Sequence, residues 1–263
     1  FLTDDCYTDR QPTPVTAPGW TSDRGLCQPE LPTGRLVETP AEIAAAIDAF
    51  IEIDGEVQLA SAIIGSTSGN NDAESGSDDA RLTLDLDDDQ CRILRKAGLN
   101  PRCRQSNRQF RESVLATPFD SLWGAQHSSH YSTGALRSND VTAATADFLG
   151  RLLATIGCHA GLSVPPRSDD GSIDYDMAQA WLGHGGFMIG GTAYGYGSKA
   201  GIGYSESYLQ ALTRELARGG SVEVGAAIVR AKQIYVTRHL KTFTHLDEKV
   251  VLPMTLYGLP MLR

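Results

Sequence analysis

The stretch Leu152-Leu153-Ala154-Thr155-Ile156-Gly157-Cys158 decides how this chain reads. A short apolar run closed by glycine predicts a buried strand with Cys158 at its end. Upstream, Ser121-Leu122-Trp123-Gly124-Ala125-Gln126 predicts a second short strand, ending at His127. His127 and Cys158 are 31 residues apart, the length of one strand–helix–strand step, with a helix predicted over 143–151. Two such strands lie side by side, and sites in open α/β sheets form outside the carboxyl ends of strands. A thiol beside an imidazole is the minimum for nucleophilic thiol chemistry, although a cysteine at a strand end also serves as ordinary core packing.

Working outward, the pattern repeats. Thr39-Pro40-Ala41-Glu42 has the form of a capping box with proline at the first helical position. The helix behind it carries Ile43, Ala46, Ile47, Phe50 and Ile51 on one face and ends near Asp54-Gly55. Strands are predicted at 57–64, 187–190 and 250–256, and helices at 85–98, 175–182, 205–218 and 222–239. This alternation predicts an α/β fold with a mostly parallel sheet and helices on both faces. Residues 1–33 read as a loop-rich lead-in and 65–80 as a surface loop of Gly, Ser, Asn and Asp. Arg92, Arg95, Arg102, Arg104, Arg108 and Arg111 read as a solvated charged face.

The composition bounds the function. The chain has 263 residues, is 41% hydrophobic, and carries 23 basic against 32 acidic residues, a net charge of −9. That argues against nucleic acid or an anionic membrane as partner. No apolar run approaches the roughly 20 residues that span a bilayer. The ends read as cut from a longer chain. Of the five cysteines, Cys6/Cys27 and Cys91/Cys103 are spaced to close two short disulfide loops, leaving Cys158 over; five free thiols in a reducing compartment is the other reading. No CxxC motif suggests structural zinc. His127-Ser128-Ser129-His130 resembles half of a metal site, but no nearby side chain completes it, so no metal is assigned. The segment 195–201 fits neither a phosphate loop nor a dinucleotide fingerprint, and no GxSxG elbow occurs.

Taken together, these residues resemble the catalytic region of gingipain-type cysteine peptidases, relatives of caspases and legumain in clan CD. The resemblance rests on Leu31-Pro32-Thr33-Gly34-Arg35-Leu36 with the helix after it, Gln126-His127-Ser128-Ser129, Ile156-Gly157-Cys158-His159-Ala160-Gly161, Gly190-Gly191-Thr192-Ala193-Tyr194-Gly195, and Leu256-Tyr257-Gly258-Leu259-Pro260. It implies one caspase-like catalytic domain over 1–263, a three-layer sandwich, flanked by other regions of its own longer chain. It implies a secreted or cell-surface thiol protease acting on proteins or peptides. Cys158 would be the nucleophile and His127 the general acid/base, with His130 the alternative histidine. Backbone N–H groups of Ser128 and Cys158 would hold the oxyanion. Asp78 or Asp79 would sit at the base of an S1 pocket for Arg or Lys, walled by Tyr194 and Tyr196. Arg81 and the arginines of 92–111 would be self-processing sites. No cofactor is required, and a structural Ca²⁺ would sit at Asp4, Asp5 and Asp9. The carboxylate that can orient the histidine in relatives falls near Gly65-Ser66, where this chain has none. That gap and Ser128 in place of glycine motivate a second reading: an inactive pseudo-peptidase serving as a binding or adhesion module. A small-molecule amidase or acyl transferase using the same dyad is a third.

Overall fold

A computed structural model describes residues 3–15, 25–65, 77–116, 118–165, 175–198 and 201–263, with the side chains of 77–85 excepted. In chain order these form α1 (Asp5–Thr8), α2 (Pro40–Glu52), β1 (Ser61–Gly65), α3 (Ser77–Lys96), β2 (Asn100–Gln105), α4 (Asn107–Ala116) and β3 (Ser121–Gly124). A small hairpin sheet follows: β4 (Ser128–Ser129), β5 (Ser132–Thr133) and β6 (Leu136–Arg137). Then come α5 (Ser138–Thr142), β7 (Leu152–Thr155), α6 (Met177–Gly183), β8 (Phe187–Gly191), α7 (Tyr204–Leu216), α8 (Val224–His239), α9 (His245–Val251) and β9 (Met254–Tyr257).

The main sheet runs β2-β1-β3-β7-β8-β9 among the described residues. All neighbours are parallel except β9, which is antiparallel to β8. Side chains of successive strand residues point to opposite faces, and the core divides accordingly. Ala62, Ile64, Trp123, Leu152, Ala154, Phe187 and Ile189 pack with residues of α3, α7, α8 and α9. Their neighbours Ile63, Leu122, Leu153 and Met188 pack with residues of α2, α4, α5 and α6. Strands buried on both faces read as continuous apolar runs, which is why β3, β7 and β8 stand out in the sequence.

Thr39 caps α2 as predicted: its hydroxyl accepts from Glu42 N while the Glu42 carboxylate accepts from Thr39 N. Elsewhere the boundaries differ. The helix predicted over 85–98 begins at Ser77, so Asp78 and Asp79, placed by the sequence in a surface loop, belong to its first turn; residues 66–76 lie outside the described residues. Over 143–151 there is no helix; α5 stops at Thr142. The Asp147 side chain accepts from Leu149 N at 2.8 Å, and Gly150 takes φ +72°, so the local turn displaces helical bonding. The predicted strand over 250–256 is split, with α9 running to Val251, a turn at Pro253, and β9 behind it. The Arg-rich segment spans the end of α3, edge strand β2 and helix α4. Its arginines largely face solvent and pair with Asp88, Asp89, Glu112 and Asp140.

The first residues are tied down tightly. Cys6 is bonded to Cys27 and Cys91 to Cys103. Asp5 is buried against Lys232 of α8, with Nζ donating at 2.6 and 2.8 Å to its two oxygens. Asp4 accepts a two-pronged bond from Arg35 at 2.6 and 2.9 Å. Asp9 accepts from Gln11 N and Gln28 N. Each of these three carboxylates thus accepts from protein donors, and no cluster of three or more His, Cys, Asp or Glu able to hold a metal occurs among the described residues. Arg35 also extends the sheet past β9: its N–H donates to Leu256 O, and Gly258 N donates to Arg35 O. No helix among the described residues is long and apolar enough to cross a membrane.

Candidate active site

Strands β3 and β7 are neighbours at the centre of the sheet, and Gly124 pairs with Thr155. That register carries an offset of 31 residues, the same as between His127 and Cys158. Each of these two residues therefore stands three positions beyond the end of its strand, on adjacent strands. The two disulfides leave Cys158 as the free thiol, half-buried. Its Sγ lies 4.0 Å from the carbonyl oxygen of Gly195 in the segment that follows β8.

The turn bearing Cys158 is held from several sides. Thr155 Oγ1 accepts from Gly157 N at 3.2 Å. His159 adopts φ +55° and donates its N–H to Ala193 O at 2.8 Å. Gly161 N donates to Gly191 O at 2.9 Å. The Tyr257 hydroxyl donates to Gly161 O. Burial pushes that phenol up to about 12, so it stays a donor across the working pH range. Tyr257, at the end of β9, thus braces the turn. Gly157 permits the approach of the two loops: a Cβ there would sit 1.9 Å from Ser128 Oγ and 2.5 Å from Gln126 O. The imidazole of His159 lies edge-on to Tyr194, centroids 4.4 Å apart, and Tyr194 is 62% exposed. Tyr196 is half-buried against the core.

His127 is exposed at the base of the β4–β5 hairpin, while His130 is in its two-residue turn, its ring 4.1 Å from that of Tyr131. Met177 N bonds to His130 O and Ser138 N to Tyr131 O, fixing the hairpin to α6 and α5. Arg111 of α4 donates to both oxygens of Asp140 in α5, at 2.6 and 2.9 Å. Gly134 N donates to His127 O, so residues 127 and 134 form a hydrogen-bonded pair. Antiparallel pairs alternate in type, so Ser128 opposite Thr133 is a non-hydrogen-bonded site and its N–H turns away from β5. The Ser128 hydroxyl bends back to Gln126 O at 3.1 Å. The hairpin itself was invisible in the sequence, because strands of two residues carry no periodicity. Side chains of Asp78, Asp79 and Arg81 lie outside the described residues.

No protein-family model matches the chain, and no curated protein matches it in sequence. Solved structures do match in shape. The Arg-specific cysteine proteinase gingipain R superposes with a TM-score of 0.67 at 15% identity, over 89% of this chain and 55% of that one. The complex of the pro- and mature domains of Porphyromonas gingivalis RgpB gives 0.65 at 15% identity, over 95% and 62%. The Saccharomyces cerevisiae separase–securin complex gives 0.51 at 11% identity, over 83% and 14%. The chain has the caspase-like fold of gingipain R. It spans between half and two thirds of the length of the two gingipain chains. The two disulfides are compatible with a location outside the cell.

Proposed function

We propose that this chain is the catalytic region of a cysteine endopeptidase, with Cys158 as nucleophile and His127 as general acid/base. The observation that carries the reading is the β3–β7 register, which sets the free thiol and a histidine equally far beyond two adjacent central strand ends. His127 is preferred to His130 because it lies at the base of the hairpin, next to the loop that touches Gly157, whereas His130 lies in the turn against Tyr131.

The imidazole of His127 takes the thiol proton, and the thiolate attacks the scissile carbonyl carbon. The outward N–H of Ser128 and the N–H of Cys158 would receive the developing oxyanion. Collapse expels the amine, which takes a proton from His127 and leaves a thioester. Water, deprotonated by the same histidine, cleaves the thioester to a carboxylic acid and restores the thiol. Basic P1 specificity is proposed on the acidic first turn of α3, with Asp78 or Asp79 as the anion and Tyr194 and Tyr196 as walls. The Arg specificity of gingipain R, similar in fold, is what suggests a basic P1 residue.

Cys158→Ala should abolish turnover of fluorogenic Arg- or Lys-P1 peptides and labelling by an Arg chloromethyl ketone, with the melting temperature preserved. Turnover by the variant at the wild-type rate would falsify the assignment. A wild-type protein that neither cleaves nor labels supports a binding module instead.

A further inference from the structure

Beneath the hairpin, Gln126 is 1% exposed, and neither its Oε1 nor its Nε2 has a hydrogen-bond partner among the described residues. Asn107 Oδ1 and Thr133 Oγ1 are buried and unpartnered as well. The first three of these atoms crowd against the backbone of Gly65 and Gly134. A Cβ on Gly134 would stand 2.7 Å from Asn107 Oδ1 and 2.8 Å from Gln126 Oε1. A Cβ on Gly65, the last residue of β1, would stand 2.5 Å from Gln126 Nε2. The amide is therefore gripped between the end of β1 and the hairpin, so closely that a Cβ at either glycine would collide with it. Thr133 Oγ1 is one residue further along the hairpin.

A sealed primary amide is a poor choice for packing alone, since methionine or leucine fills the same volume without desolvating polar atoms. Buried polar groups of this kind hold ordered water, each molecule making two to four bonds. Gln126 is also the residue directly before His127, and Gly134 is the residue whose N–H holds His127 O. The slot thus grips the hairpin on both sides of the histidine's own backbone bond.

The geometry points to Gln126 as a positioning residue for His127: its buried amide, wedged between Gly65 and Gly134 beside Asn107, fixes the hairpin base and with it the direction of the imidazole. This rests on the reading of His127 as the general acid/base. Small displacements of such a group cost up to about 100-fold in rate.

The test compares wild type with Gln126→Met, which keeps the shape and removes the polar atoms. Two readouts are taken: peptide kinetics, and the pH profile of Cys158 alkylation by iodoacetamide, which needs no turnover. The variant should melt at or above the wild-type temperature and keep KM within about twofold, with kcat lower by roughly tenfold. The histidine inflection of its alkylation profile should move. Unchanged kcat with an unmoved inflection overturns the proposal. If Gln126→Met does not fold, Asn107→Ala decides: reduced kcat with a moved inflection supports the slot, and wild-type values overturn it. A wild-type profile lacking any histidine inflection refutes the dyad and this proposal with it, whereas a wild-type inflection unmoved in the variants refutes this proposal alone.

Discussion

Replacing Asp5 by alanine leaves the Lys232 ammonium sealed in the core without its counter-charge. Lys232 is 1% exposed and Asp5 3%, and both carboxylate oxygens are within 2.8 Å of Nζ. Breaking a buried pair from one side costs about 3–5 kcal/mol, because the remaining charge keeps its desolvation penalty and loses its compensation. At roughly 2–4 °C per kcal/mol for a chain of this size, the melting temperature should fall by roughly 6–20 °C. The double variant Asp5→Leu with Lys232→Met should recover most of that loss, since a buried pair contributes little net stability over apolar side chains of similar volume. Differential scanning calorimetry on both variants, without reductant, makes the comparison. A single variant within about 2 °C of wild type, or a double variant no better than the single, would show that the pair does not hold the N-terminal arm.

Three further outcomes are expected. Thiol titration of the folded, unreduced protein should find one free sulfhydryl per chain, and reduction should lower stability by about 3 kcal/mol for each loop opened, the loops spanning 21 and 12 residues. The Arg111 hydrogen bonds hold the Asp140 carboxyl below its ordinary value. A carboxyl whose folded value is depressed stabilises above its unfolded value, and that stabilisation disappears as pH falls through the folded value. Asp140→Asn should therefore flatten the acid limb of the melting-temperature profile below about pH 4, and an unchanged limb would count against the bond.

What the sequence disclosed and what it concealed follow from how each element is stabilised. β3, β7 and β8 were legible because strands buried on both faces must be apolar throughout, and α2 because a capping box is a local device. The adjacency of β3 and β7, whose ends precede His127 and Cys158, was legible because about thirty residues suffice for one crossover between parallel neighbours. The absent helix over 143–151 was not, because the Asp147 turn and Gly150 override the apolar spacing there. α9 was missed although Thr244 and Asp247 form its capping box, since the apolar run 250–256 drew the reading to a single strand. Gln126 was missed for a different reason. A polar residue beside a histidine looks like loop sequence until its burial is known.

The two outer edges of the main sheet have a bearing on solubility. At one side Arg35 completes a backbone bridge to β9, so that strand does not offer a full row of free amides. At the other, β2 presents the exposed guanidinium side chains of Arg102 and Arg104 along its length. Charge on an outermost strand discourages a second molecule from adding its own strand to the ladder. The arginines of 102–104 thereby protect the chain against edge-to-edge aggregation at high concentration, and neutral substitutions there should bring on turbidity before any loss of melting temperature.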